Sequence, residues 1–272
     1  MLDRLLNYIS GFALILFYVL FANSGEQERI FLAFVLALFI ILIALLMNWL
    51  SLDGAFAAFF VGIMTFGFGG LPAAIILVLF FSSSYLIGFI LSNQNADEYA
   101  RKERRDGYQV WANAFWFVFF ITLGFYFRHD LMYIAAAGSL AVAMSDTWAT
   151  EVGTRAFNVK TYFLLSFTKV KAGTDGGVSL KGTLGGLLGA FLLSVIFVLM
   201  NRNSLAVFVI IGLAGFLGCL LDSYLGALFQ TKKKQLKLPK PLSRPVILDN
   251  NSVNAVATGF GAFFTLIMLW LV

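Results

Sequence analysis

The chain has 272 residues, of which 60% are hydrophobic and only 12% are charged, and its formal net charge is +5. Its mean hydropathy is +0.89, whereas a soluble domain is usually about half apolar and about a quarter charged. This composition excludes a water-soluble globular domain and predicts an all-α integral membrane protein whose apolar surface faces lipid. The single cysteine, Cys219, excludes an internal disulfide.

Nine apolar segments approach or exceed the length of about 20 residues that a membrane span requires. The first resembles a signal peptide in its position, but it lacks a small-residue cleavage site and is interpreted as a retained helix. The third is short and rich in glycine, so it is interpreted as tilted or re-entrant. The sequence therefore predicts one polytopic domain over residues 1–272. In chain order the predicted spans are 5–22, 29–50, 54–68, 71–92, 108–127, 131–153, 176–200, 204–228 and 250–271.

Lys and Arg residues predict the orientation, because loops that are rich in them stay on the cytoplasmic side. With a cytoplasmic N-terminus, all but three of the 19 Lys and Arg residues fall on that side, and the exceptions are Arg29, Arg128 and Arg202. This bias predicts a cytoplasmic N-terminus and a C-terminus on the opposite side. The basic loop 229–249 is interpreted as a topology signal and a lipid-headgroup contact, and no nucleic-acid partner is expected.

Two aspartates inside predicted spans are functional candidates, because ionisable groups within the membrane are costly. Asp146 lies seven residues before the predicted helix end at Gly153, which places it roughly 10 Å below the membrane surface. Asp222 lies at a similar depth in its own span. Asp146 and Glu151 are five positions apart and do not share a face of a regular helix, so the two share an ion only if the helix breaks near Gly153 or another helix contributes. Hard oxygen ligands of this kind suit Mg²⁺, and a structural hydrogen-bond cluster is the alternative.

A glycine-rich segment between the sixth and the seventh listed spans predicts a phosphate-binding loop. Glycine lets a phosphate approach the backbone, and a helix N-terminus offers free amides and a positive dipole end. The segment is not a Walker A motif. Close helix packing through the pairs Gly182/Gly186 and Gly185/Gly189 is the alternative, and both roles are compatible. The predicted phosphate-binding residues are Lys169, Lys171, Gly173, Thr174, Gly176, Gly177, Ser179 and Thr183.

Two further polar groups open the fifth and the ninth predicted spans from the same side of the membrane. Both begin with an aspartate that is alternatively only a helix N-cap. Residues 106, 109 and 113 of the first group, and residues 250 and 254 of the second, recur three or four residues apart, which places them on one face of a helix. Ser82–Ser84 is interpreted as a site of inter-helix hydrogen bonding rather than a ligand, and His129 as a solvated loop residue. The supporting polar residues are Arg105, Asp106, Gln109, Asn113, Asp249, Asn250 and Asn254.

At these residues the chain resembles an integral membrane family catalogued as domain of unknown function 92. That family includes the transmembrane-protein-19-like proteins and the plant phytyl-phosphate kinase of vitamin E synthesis. The resemblance extends from about Leu52 to the C-terminus, and more loosely the chain is similar to polyprenol kinases and CDP-diglyceride synthases, which use CTP. The resemblance to the domain of unknown function 92 family rests on the segments beginning Leu52-Asp-Gly, Ser82-Ser-Ser, Arg105-Asp, Ser145-Asp-Thr-Trp, Gly173-Thr-Asp-Gly-Gly, Asp222-Ser and Asp249-Asn.

The resemblance implies a nucleotide-dependent phosphotransferase of the multi-pass cell membrane. It would use CTP or another nucleoside triphosphate and Mg²⁺ to convert a prenyl monophosphate lipid to its diphosphate at the cytoplasmic face. In this interpretation Asp146 and Asp222 hold the metal ion, Glu151 assists, and Lys171 with the glycine-rich loop binds nucleotide. Two alternatives stay open. A transporter or lipid flippase would use the acids as ion sites along a path across the bilayer, and a cytidylyltransferase would make a CDP-lipid and release pyrophosphate.

Overall fold

Helices make up most of the chain in the computed structural model, which describes residues 2–92, 104–231 and 248–272. A π-helical segment, Gly226–Thr231, continues the seventh α-helix. The predicted basic loop 229–249, and the charged loop between the predicted spans 71–92 and 108–127, lie largely outside the described residues. Within those residues the α-helices are α1 Leu2–Phe21, α2 Ser24–Leu46, α3 Leu52–Ser92, α4 Gly107–Phe127, α5 Asp130–Arg155, α6 Leu180–Asn201, α7 Leu205–Leu225 and α8 Asn250–Leu271.

The all-α polytopic membrane architecture is confirmed. The predicted segment 131–153 lies within α5. By length and hydropathy α5 does not qualify as a span, because it is more polar than the neighbouring helices. The count of nine spans and the cytoplasmic orientation stay predictions. Among the described residues, six helices are long and apolar enough to cross a bilayer: Ser24–Leu46, Leu52–Leu91, Gly107–Phe127, Leu180–Asn201, Leu205–Gln230 and Asn250–Leu271.

The long helix α3 changes direction at Gly70, in the gap between the predicted segments 54–68 and 71–92. Gly70 has a φ of 68° and a ψ of −165°, which no α-helical residue adopts, and Pro72 follows it. Glycine accepts a positive φ without the steric cost of a Cβ atom, and proline lacks the amide hydrogen that would continue the helical bonding. α3 is therefore two helical halves joined at Gly70.

Both ends of α3 lie at the same end of the helical bundle. At its start, Asp53 Oδ2 accepts a hydrogen bond of 2.9 Å from the backbone amide of Gly107, where α4 begins. Near its end, Gly88 packs so closely on the last turns of α5 that a Cβ atom there would lie 2.7 Å from Glu151 Oε2. The first half of α3 thus leads away from this end of the bundle, and the second half returns to it.

The second half of α3 also carries the serine run. Ser83 Oγ accepts a hydrogen bond of 3.0 Å from Trp148 Nε1 of α5. Ser82 and Ser84 donate to carbonyl oxygens of their own helix. The interpretation of this run as inter-helix hydrogen bonding rather than ligand binding agrees with the bond between Ser83 and Trp148.

The central helix of the bundle is α5, which contacts α3, α4, α6, α7 and α8. Residues 134–145 are all buried. α6 approaches through small residues, and a Cβ atom at Gly186 would lie 3.0 Å from the carbonyl oxygen of Ser145. The predicted glycine packing is therefore confirmed, since the same close approach recurs along α6 at Gly182, Gly185 and Gly189.

A small antiparallel sheet lies between α5 and α6, in the segment that joins the predicted spans 131–153 and 176–200. Its strands are β1 Thr161–Phe163, β2 Lys169–Val170 and β3 Gly177–Val178, with β1 in the middle. Because β3 pairs with β1, the chain is extended where the predicted span 176–200 has already begun. α6 begins instead at Leu180, after Ser179 Oγ accepts a hydrogen bond of 3.1 Å from the amide of Gly182 and caps the helix.

Candidate functional site

A polar cavity of about 380 Å³ opens at the end of the bundle where α5 and α7 finish and α4, α6 and α8 begin. The loop around β3 closes one side of it. All the predicted site residues except four line this cavity. Those that line it are Asp146, Glu151, Asp222, Gly173, Thr174, Gly176, Gly177, Ser179, Thr183, Arg105, Gln109, Asn113, Asn250 and Asn254.

Three aspartates from different elements face this cavity: Asp146 of α5, Asp222 of α7 and Asp175 of the glycine-rich loop. The charge of Asp222 interacts with those of both other aspartates. α7 reaches α5 through glycine, since a Cβ atom at Gly215 would lie 2.9 Å from the carbonyl oxygen of Ala141. Glycine in α7 therefore lets α5 pack closely on the helix that carries Asp222.

Several buried polar atoms of the cavity wall have no hydrogen-bond partner. Within the described part of the chain, these include Asp222 Oδ2, Thr161 Oγ1 and Gln230 Nε2. Buried polar atoms are usually paired, and each exception calls for an explanation such as a bound ion, water or ligand. A polar ligand in this cavity would satisfy all three.

The donor set fits Mg²⁺ better than a transition metal. The described residues contain no cluster of three His, Cys, Asp or Glu side chains placed to hold a metal ion by themselves. Mg²⁺ is usually held by one or two carboxylates together with water and substrate phosphates. Asp146 and Asp222, with the unpaired Asp222 Oδ2, provide that smaller set.

Glu151 forms an ion pair within its own helix. α5 continues without a break through Gly153 to Arg155, so the first of the two conditions for a shared ion, a break near Gly153, is not met. Glu151 Oε2 instead forms a salt bridge of 2.8 Å with Arg155 Nε, one turn later on the same helix. A second helix, α7, supplies the carboxylate that approaches Asp146. Glu151 still lines the cavity, and its charge, like that of Asp146, acts on Arg105.

The glycines of the glycine-rich loop are required for close packing within the protein, whether or not a ligand approaches them. Gly173 and Gly176 have positive φ angles of 82° and 71°. A Cβ atom at Gly176 would lie 2.3 Å from Ala227 Cβ, so the close approach at this glycine is to the π-helical segment. The amides of Thr174 and Gly177 donate to carbonyl oxygens within the loop. Those two amides are therefore not open donors for a phosphate.

The four predicted residues outside the cavity wall fall into two pairs. Lys169 and Lys171 are exposed and are not among the described residues that line the cavity. Asp106 and Asp249 are N-caps: Asp106 Oδ1 accepts from the amide of Gln109 at 2.8 Å, and Asp249 Oδ1 accepts from the amide of Ser252 at 2.8 Å. For both aspartates the capping alternative accounts for the observed contacts.

Arg105 is held in place by its backbone and by three aromatic rings. Its amide donates to the carbonyl oxygen of Trp49, and its own carbonyl oxygen accepts from Ser51, each at 3.1 Å. The guanidinium carbon lies 5.5–5.6 Å from the ring centres of Phe80, Phe81 and Tyr85. Burial lowers the pKa of this guanidinium, whereas the neighbouring Tyr85, Glu151 and Asp146 act in the opposite direction.

The comparisons with known proteins agree with this picture of a helical membrane protein. Residues 35–262 match the family model described as integral membrane protein DUF92. The chain belongs to this family. The match begins upstream of Leu52 and takes in part of α2, so it is longer than the predicted resemblance. No solved structure matches this member of the DUF92 family.

Three relatives show how far the similarity of this DUF92 protein extends. An uncharacterized membrane protein of Methanocaldococcus jannaschii is 30% identical over 243 residues, which cover 86% of the chain and 93% of that relative. Protein VTE6, chloroplastic, of Arabidopsis thaliana is 26% identical over 241 residues, covering 86% of the chain and 69% of the relative. Protein PGR of the same plant is 30% identical over 149 residues, which cover 47% of the chain and 51% of that relative.

Sequence reasoning missed several residues of the cavity of this DUF92 protein. Thr161 belongs to β1, and Gln230 to the π-helical segment, which were both interpreted as loop. Thr161 follows Lys160, and Gln230 precedes the three lysines 232–234, but such charges indicate membrane orientation rather than a binding site. Asp175 did carry a signal, because it lies between the predicted residues Thr174 and Gly176.

Proposed function

We propose that this protein is a nucleotide-dependent phosphotransferase that acts on a phosphorylated membrane lipid, with a prenyl monophosphate as the substrate class. The observation that carries the proposal is the cavity itself. Asp146, Asp175 and Asp222 meet there with buried polar atoms that lack partners, directly beside the positively charged Arg105. Such a wall suits a cation together with phosphate groups, since carboxylates bind the cation and arginine binds phosphate.

The proposed reaction joins two phosphates. An oxygen atom of the lipid monophosphate bonds to the γ-phosphorus of the nucleoside triphosphate, and the bond from that phosphorus to the β,γ-bridging oxygen breaks. The products are a lipid diphosphate and a nucleoside diphosphate. A phosphate oxygen is already anionic, so the attacking group needs little help from a general base. Catalysis of phosphoryl transfer depends mainly on positioning and on the stabilisation of charge.

Different residues of the chain would bind the metal ion and the phosphates. Asp146 and Asp222 would hold Mg²⁺, which when bound neutralises phosphate charge. Asn250 and Asn254 of α8 lie on the cavity wall with amide groups that can orient phosphate oxygens. Ser179 is committed to capping α6, so its hydroxyl is a weaker candidate ligand than that of Thr183. Lys169 and Lys171 would add long-range positive charge near the cavity mouth.

A transporter is the rival function, and the interior of the bundle argues against it. A transport path would have to connect the cavity with the opposite end along α5. Between these ends α5 is buried and mostly apolar, with Ala135, Leu140 and Met144 each fully buried. This layer supports a site that is open at one end only.

The test is a turnover assay on the purified protein in detergent or nanodiscs. Mg²⁺, γ-labelled CTP or ATP and a panel of prenyl phosphates are supplied, and the products are separated. Transfer of the label to lipid, with release of nucleoside diphosphate, is the expected result. Release of pyrophosphate with a CDP-lipid product would identify a cytidylyltransferase. Absence of saturable, Mg²⁺-dependent binding across several nucleotides would exclude the phosphotransferase and favour a transporter.

A further inference from the structure

A second cavity, of about 240 Å³, lies between α2, the two halves of α3 and the first turns of α4. We call it the apolar groove, because hydrocarbon side chains form nearly all of its wall. Thr65 and Ser82 are polar residues that line the apolar groove alone. Arg105, Gln109 and Asn113 line both the apolar groove and the polar cavity. The two cavities therefore meet along one row of polar residues.

The apolar groove opens sideways, toward the surface that faces lipid. Leu36, Ile40 and Val78 line it and are 40–47% exposed. Small residues of α2 make room for it from Ala33 to Ala44, a length of roughly 17 Å at about 1.5 Å per residue. A hydrocarbon chain in the bilayer can thus reach the groove without passing through water.

Arg105 stands where the groove meets the polar cavity. Within the part of the chain that the structure describes, its guanidinium makes no hydrogen bond and no salt bridge, and its contacts are with aromatic rings. A guanidinium has five N–H donors and binds phosphate through two of them at once. An arginine in such a place is therefore well suited to an anionic group whose attached chain is apolar.

We propose that the apolar groove holds the hydrocarbon chain of the lipid phosphate, and that Arg105 binds the phosphate of that lipid at the boundary with the polar cavity. This proposal rests on the proposed function for the identity of the lipid as a substrate. Gln109 and Asn113 of α4 follow Arg105 along the same boundary and would contact the first bonds of the chain and the phosphate. The reacting phosphate would then face Asp146 and Asp222 while its chain stays in the bilayer.

Photo-crosslinking tests where the chain lies. A farnesyl phosphate analogue with a diazirine at the end remote from the phosphate is bound to the full protein in nanodiscs, irradiated and mapped by mass spectrometry. Labelling of α2 and α3 residues of the groove, suppressed by unlabelled farnesyl phosphate, is the expected result. Labelling spread over the whole lipid-facing surface, without competition, would overturn the proposal and indicate bilayer contact only.

Filling the groove provides a second test with a matched control. Ala74 is partly buried and lines the groove, whereas the adjacent Ile75 is 36% exposed and does not line it. Ala74→Phe should weaken binding of farnesyl phosphate by about tenfold or more, because the added ring occupies the space of the chain. Ile75→Phe should leave it unchanged. Equal effects of the two substitutions would overturn the proposal. Ala58→Phe, on the other half of α3, serves if Ala74→Phe does not fold.

Charge substitution tests Arg105 itself. Arg105→Gln should weaken binding of farnesyl phosphate by roughly tenfold to a hundredfold, which is the range for loss of a hydrogen bond to a charged group. Binding of farnesol, which lacks the phosphate, should be unaffected. Arg105→Lys should restore part of the affinity because it keeps the positive charge. Equal losses for phosphate and alcohol would show that Arg105 only supports the fold.

Nucleotide binding, measured in parallel, separates this proposal from the proposed function. If the protein binds Mg²⁺ and nucleotide while the farnesyl chain is not found in the groove, the groove proposal fails and the phosphotransferase stands. If the lipid phosphate binds in the groove in an Arg105-dependent way and no nucleotide binds, the phosphotransferase fails and the lipid site stands.

Discussion

Glu26 and Asp222 are carboxylates with buried oxygen atoms at opposite ends of the helical bundle. Glu26 completes a capping box with Asn23 at the start of α2 and pairs with Arg128 at the end of α4. Asp222 Oδ2 has no hydrogen-bond partner and faces a cavity that holds two other aspartates. The Glu26 carboxylate therefore has partners within the protein, whereas Asp222 Oδ2 has none among the described residues.

The cavity at the far end extends this contrast. It measures about 290 Å³ and is also bordered by charged residues. There Arg29 Nε donates to the carbonyl oxygen of Gly67 at 2.8 Å, and Tyr133 Oη donates to that of Phe68 at 3.3 Å. These contacts support the start of α2 and the turn in α3 at Gly70. Buried charge therefore does not identify a functional site by itself, whereas a buried charged atom without a partner calls for an explanation such as a bound ion or ligand.

The largest expected effect is at the two aspartates that are proposed to hold Mg²⁺. Asp222→Asn and Asp146→Asn should each lower turnover by about a thousandfold or more, because a contact with a transferring phosphoryl group or its cation supplies several kcal/mol. The thermal midpoint in detergent should not fall, since each substitution removes buried negative charge. Glu26→Gln at the other end is the control and should leave turnover unchanged. Substantial activity in Asp222→Asn would exclude the proposed magnesium site.

A smaller effect is expected where the glycine-rich loop meets the π-helical segment. Gly176→Ala should lower the free energy of unfolding by about 2 kcal/mol or more, because it adds a side chain at a positive φ and against Ala227. Thermal unfolding in detergent measures this loss. Nucleotide affinity should fall only as far as the folded fraction falls. A specific loss of nucleotide binding at full stability would indicate that Gly176 contacts phosphate after all.

Glu26→Gln should have a still smaller effect on stability. Glutamine retains the capping-box hydrogen bond and removes only the charge that pairs with Arg128, and Arg128 is largely exposed. The expected loss is about 1 kcal/mol or less, and it should shrink at high salt. Thermal midpoints at low and high ionic strength provide the measurement. A loss that does not depend on salt would mean that the pair is shielded from solvent.

The smallest effect is expected at the exposed lysines. Lys171→Ala should weaken nucleotide binding by roughly threefold at low salt, because an exposed charge contributes well under 1 kcal/mol. At high salt the difference should vanish. Lys181→Ala is the control, since the Lys181 ammonium donates to the carbonyl oxygen of Phe157. Equilibrium binding of a non-hydrolysable nucleotide to the Lys171→Ala and Lys181→Ala variants provides the measurement. A large loss at Lys171 in high salt would place that lysine directly on a phosphate.

Most of the candidate site was predictable because its residues break the apolar pattern. Asp146 and Asp222 stand out in apolar spans, and Gly173–Gly177 stands out as a glycine cluster. Asp106 and Asp249 stand out equally, yet both are caps, because a helix N-terminus needs a side-chain acceptor whether or not a ligand lies nearby. The sequence cannot separate these cases, since the difference lies in which amide the carboxylate reaches.

The sequence by itself determined the membrane environment, the helical class and the position of the turn in α3. These follow from composition, segment length and the conformational limits of Gly70 and Pro72. Only the tertiary structure decided that Glu151 pairs with Arg155, that Gly176 packs on Ala227, and that Arg105 stands between a polar cavity and an apolar groove. Those facts depend on which helices meet and how closely, and contacts between distant segments leave no local pattern in the chain.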